Sequence, residues 1–106
     1  MELNDETIQS VWEKARASND RDSDEWRKDE CGAWISRDQY GHEHSPFGWK
    51  IEHVAPGEPQ TIEHLRPFHH ENSFDKATGQ PHCQITADRE GLAPTASVDH
   101  PRNKTA

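Results

Sequence analysis

Only fourteen of the 106 residues are Leu, Ile, Val or Phe, and this scarcity sets the limit on what the chain can fold into. Spread evenly, so few apolar side chains would leave the chain disordered, because burial could not offset the conformational entropy lost on folding. They are concentrated instead. All but Leu3, Leu92 and Val98 lie between Ile8 and Ile85, together with all four tryptophans. One modest core is therefore expected in that stretch, with no second domain. The segment from Asp88 to Ala106 reads as a disordered tail.

A net charge of −8 argues against a surface that attracts nucleic acid along its whole length. The first thirty residues hold ten acidic and five basic side chains, and the remainder ten and seven, so any contact with phosphate is expected to be local. Cys31 and Cys83 are the only cysteines. Two such distant positions form neither a disulfide framework nor a CxxC zinc knuckle, so both are expected as reduced thiols, with Cys31 serving packing. No basic, then apolar leader and no run of eighteen apolar residues is present, which predicts a cytoplasmic protein with no membrane contact.

Ile8, Val11, Trp12 and Ala15 recur at helical spacing, predicting a helix over 5–17 with Asp5 as its N-cap. Residues 17–25 contain no large apolar side chain and read as a solvated linker. The end of Trp26–Ile35 has strand character. In 49–54, Trp49, Ile51 and His53 alternate with Lys50, Glu52 and Val54, which predicts a two-faced strand. A loop to about Gln60 follows, then an apolar patch of Ile62, Leu65, Pro67 and Phe68. A second helix is expected over 69–76, and an edge strand over 82–86.

Five of the eight histidines, His53, His64, His69, His70 and His82, fall within thirty residues of one another. Neutral imidazole binds divalent metals, and a positioned imidazole can take a proton from water near neutral pH. The strings Trp26-Arg27-Lys28-Asp29-Glu30-Cys31-Gly32-Ala33-Trp34-Ile35, Phe47-Gly48-Trp49-Lys50-Ile51-Glu52-His53-Val54 and His64-Leu65-Arg66-Pro67-Phe68-His69-His70-Glu71-Asn72-Ser73 resemble small bacterial and phage HNH endonuclease domains. The likeness runs from about Ile8 to Asp88.

The resemblance implies an α+β fold: a small ββα-metal domain over 26–87, preceded by a helix and acidic linker over 1–25 and followed by a flexible tail over 88–106. It implies DNA as substrate and one divalent ion, Mg, Mn, Zn or Ni. His53 would be the general base, His64 would orient it, and Glu52 would be the first metal ligand. Ser73 stands at the last ligand position, with Asn72, His69 or His70 as substitutes, and Arg66 and Lys76 would hold phosphate.

Three positions depart from the family pattern: Glu52 replaces the usual Asp, His64 the usual Asn, and Ser73 the usual His or Asn. A rival expectation follows, a catalytically degenerate module that binds a protein or nucleic-acid partner. A histidine-rich metal or regulatory protein is the third class.

Overall fold

The structure is a computed structural model that describes residues 4–18, 21–54, 62–75, 77–88 and 101–106. The first element is the helix α1, Asp5–Trp12. Its N-cap is Asn4, whose side-chain oxygen accepts the Thr7 N–H at 2.8 Å, rather than the expected Asp5. The helix ends well short of residue 17. Lys14 and Ala15 bond the carbonyls of Val11 and Trp12 in a tightened last turn, and the chain then enters a strand.

That strand, β1 (Arg16–Ala17), pairs antiparallel with β2 (Trp26–Lys28), which pairs with β3 (Trp34–Ser36). The β2–β3 turn uses Gly32 at φ 82°, a left-handed conformation that a Cβ would strain. β4 (Trp49–His53) realises the strand expected over 49–54 and pairs with β5 (Leu65–His69), so that Trp49 faces His69, Glu52 faces Arg66 and His53 faces Leu65. The hairpin β6 (Ser73–Asp75) and β7 (Gln80–His82) and the pair β8 (Ile85–Ala87) and β9 (Asn103–Thr105) complete the order.

These pairings overturn the expected ββα-metal fold. Among the described residues the strands form four small antiparallel sheets, and α1 is the single α-helix. The helix expected over 69–76 is absent because tertiary bonds outweigh local preference there. Leu65 to His69 is drawn into the ladder with β4, and Asn72 is fully buried by polar contacts. Asp75 then accepts the Ala77 N–H, Gly79 donates to the Asp75 carbonyl, and Gly79 at φ 72° closes a hairpin. The flexible tail is likewise corrected over 101–106. Asn103 of β9 accepts the Trp34 N–H at 2.7 Å and donates to the Trp34 carbonyl at 2.9 Å, giving this end of the chain a fixed partner. Lys76, the loop over 55–60 and residues 89–100 lie outside the described residues.

The core gathers the few apolar side chains on the inner face of α1 and on β3, β4 and β5: Ile8, Val11, Trp12, Ala15, Ile35, Trp49 and Leu65, with Tyr40 and Ile51 against them. Trp49 anchors it, its ring centroid 5.3 Å from that of Trp12 and 4.9 Å from that of Tyr40. Aromatic area on this scale compensates for the missing aliphatic residues. The alternation read in 49–54 holds, since Trp49 and Ile51 turn to this core while Lys50 and Glu52 form an ion pair at 3.4 Å.

A second correction concerns the cysteines. Cys31 and Cys83 form a disulfide that ties the β2–β3 turn to the link between β7 and β8. The expectation of reduced thiols is therefore wrong for this fold. A bond across 52 positions of sequence has no local signature, and two lone cysteines do not reveal their distance in space.

Candidate functional site

Asp29 is fully buried and its carboxylate accepts four hydrogen bonds. One carboxylate oxygen accepts the backbone N–H groups of Cys31 and Ala33, each at 2.9 Å. The other accepts the His69 N–H and the Asn72 side-chain amide, also at 2.9 Å. Asn72 in turn donates to the Ile85 carbonyl and accepts the N–H groups of Gln84 and Ile85. The β2–β3 turn, the end of β5 and the start of β8 thus meet on one Asp–Asn pair.

This arrangement decides the fate of the expected metal ligands. Asn72 has both side-chain ends committed inside the protein. The donor atoms of His69, His70 and Glu71 lie within 4.8 Å of one another, as a metal cluster would need. His69, however, is occupied at both ring nitrogens: Nε2 contacts the Pro46 carbonyl at 2.7 Å, and Nδ1 accepts the Glu71 N–H at 3.1 Å. That pattern fits a neutral ring donating from Nε2, with no lone pair left for a cation. His70 meets the Ser45 carbonyl at 3.0 Å. As placed, His69 would have to give up its bond to the Glu71 N–H before this group could hold an ion.

Burial, helped by neighbouring His70, holds the His69 pKa below the usual histidine range against the opposing pull of the Pro46 carbonyl, Asp29 and Glu71. The unfolded chain therefore takes up a proton at a higher pH than the folded one. Stability is retained above the ordinary histidine value and falls as the pH drops from about 6.5 toward the folded value. Thermal melts between pH 7.5 and 5 should show this loss, and His69→Gln should flatten it; an unchanged slope would remove His69 as the cause.

Of the other expected site residues, the fold brings His53 and His64 together, ring centroids 6.0 Å apart, with the Val54 N–H bonded to the His64 carbonyl at 2.8 Å. Glu52 is beside them on β4 but ion-paired to Lys50. His69 is three residues further along β5 than Arg66, the partner of Glu52, a separation of about 10 Å at strand rise. Ser73 pairs with His82 in β6. The two halves of the expected site thus sit at opposite ends of the β4–β5 ladder.

A different constellation is concave. A cavity of about 380 Å³ opens between the α1–β1 turn, β2 and β5, lined by Lys14, Arg16, Lys28 and Arg66 together with Asp29 and Glu30. Ala15, Pro67 and Pro81 supply its apolar wall. The pairing of β1 with β2 places Arg16 directly opposite Lys28. Like charges in that relation destabilise a sheet unless something compensates. Arg16 donates to the Glu30 carbonyl, and the Lys28 ammonium sits 4.7 Å from the centre of the Trp34 ring. Lys14 donates to the carbonyls of Ile62 and Leu65. Its pKa is lowered, first by burial and then by the Arg66 charge, with Glu63 opposing. Arg66 is ion-paired to Glu30. Cationic groups are thus concentrated at one concavity of an otherwise acidic chain.

Of this set, sequence reasoning had singled out only Arg66. Lys14, Arg16 and Lys28 lie in the most acidic third of the chain, where each reads as a solvated charge, and their convergence follows from the β1–β2 register and the return of β5. Comparison with protein-family models, with curated proteins and with solved structures returns no match to this chain.

Proposed function

We propose that this chain is a small binding module that takes an anionic ligand in the cavity of Lys14, Arg16, Lys28 and Arg66. The observation that carries this reading is the convergence of four cations on one concave site in a protein of net charge −8. Asp29 and Glu30 offset part of this charge, and the repulsion that remains is relieved when an anion enters. The reading differs from the module expected from sequence, which binds a protein or nucleic-acid partner, in placing an anionic ligand away from the histidines. A helix long and apolar enough to cross a membrane is absent among the described residues. The Cys31–Cys83 bond supports an oxidising compartment over the cytoplasm expected from sequence.

The test is a titration of the disulfide-bonded chain with phosphate, sulfate and succinate, followed by backbone and arginine side-chain NMR. Saturable shifts clustered at residues 14–16, 28–30 and 66 are expected, and Arg16→Glu should abolish them. Linear shifts scattered over the surface would show that the cavity holds no anion.

Metal-dependent cleavage of DNA is a second reading, favoured only by the meeting of His53 with His64 beside Glu52. It requires that plasmid be nicked with added magnesium, manganese, zinc or nickel and that His53→Ala, still folded, lose the activity. Intact plasmid under every metal would retire it.

A further inference from the structure

We infer that the ligand of this cavity is a dianionic phosphate monoester of small-molecule size, which displaces Glu30 from Arg66 as it enters; this deepens, and rests on, the reading of the cavity as an anion site. The first argument is charge. Four cations against Asp29 and Glu30 leave two positive charges in the lining, and three once Glu30 has left Arg66. A phosphodiester or a simple carboxylate carries one negative charge and leaves most of this uncompensated. A monoester carries about −1.5 to −2 near neutral pH and compensates more of it.

The second argument is the chemistry of the donors. Arg16 and Arg66 present planar forks suited to paired phosphate oxygens, and Lys14 and Lys28 add compact point charges. The third is size. A volume of about 380 Å³ is that of a small-molecule site. Ala15, Pro67 and Pro81 offer an apolar wall to the organic part of an ester. The acidic remainder of the chain repels an extended polyanion, which disfavours a nucleic-acid backbone.

The two acids of the lining differ in what they can do. Asp29 is fixed by four N–H donors and cannot withdraw. Glu30 is held at the surface by its ion pair with Arg66, where solvent weakens the attraction. Its carboxylate occupies the guanidinium that a phosphate would use, so ligand and Glu30 compete.

The experiment is calorimetry on the full disulfide-bonded chain at pH 7.5, with glycerol 3-phosphate, dimethyl phosphate, succinate and a phosphoserine tetrapeptide as probes. Glycerol 3-phosphate is expected to bind saturably, and dimethyl phosphate about tenfold more weakly for its missing charge. Binding should weaken below about pH 6, where the ester dianion takes up one proton and becomes a monoanion. Arg66→Gln should weaken binding about tenfold and Glu30→Gln strengthen it severalfold. Both positions are solvent-facing, and unchanged thermal melts will show that the variants fold. Equal affinity for dimethyl phosphate or succinate would overturn the phosphate-monoester assignment while leaving an anion site. Tighter binding of the phosphopeptide would overturn the small-molecule assignment. Weaker binding by Glu30→Gln would overturn displacement, and no saturable binding of any probe would remove the anion site itself.

Discussion

Reduction of the Cys31–Cys83 disulfide is expected to lower the unfolding free energy by about 4 kcal/mol, the chain-entropy value for a loop of this size. The cysteines are 52 positions apart, so the bond removes a large part of the freedom of the unfolded chain. Domains of this size are stabilised by about 5–15 kcal/mol in total, and this one builds its core from few aliphatic residues. The reduced chain should consequently be close to its midpoint of unfolding in water. The bond also has a local partner on each side. The Cys31 N–H is held by Asp29, and Cys83 directly precedes Gln84 and Ile85, whose N–H groups are held by Asn72. Urea denaturation with and without dithiothreitol measures the loss, and the double variant Cys31→Ser, Cys83→Ser should match the reduced protein. Coincident curves in the two conditions would show that the bond contributes nothing to stability.

The sequence was legible where structure is local. The spacing of Ile8, Val11 and Trp12 announced α1, and the alternation of Trp49 to Val54 announced β4 as a two-faced strand. It was not legible where a residue's role depends on a partner far along the chain. Asn72 reads as a helical or metal-binding residue next to His69 and His70, yet it is consumed by Asp29, 43 positions away. His69 reads as a ligand, yet both its nitrogens are used to hold Pro46 and the following turn. The histidine density that suggested a metal centre is divided by the β4–β5 ladder into a His53–His64 pair at one end and a His69–His70 stack at the other. Neither the cationic cavity nor the disulfide has a sequence motif. Both are products of topology, and both sit against the same turn, residues 29–32.

That shared position makes Asp29 the residue whose loss should be felt most. Asp29→Ala removes the acceptor from four N–H donors, three of them buried and that of Cys31 partly so, and each unmet buried donor costs about 1–3 kcal/mol. The sum reaches the whole stability of a small domain, so this variant is expected not to fold. Asp29→Asn is the informative replacement, because it keeps the shape and one oxygen. That oxygen can serve the Cys31 and Ala33 N–H groups, but its amide nitrogen then faces two other donors, the His69 N–H and the Asn72 amide. Two bonds are lost in place of four, and the expected cost is about 2–6 kcal/mol. Combining Asp29→Asn with Asn72→Ala should cost less than the two changes separately, since the pair acts as one unit. Urea midpoints of the three variants measure the coupling. An Asp29→Asn protein as stable as the parent, or costs that simply add, would show that the β2–β3 turn, the end of β5 and the start of β8 are held together by something other than this carboxylate.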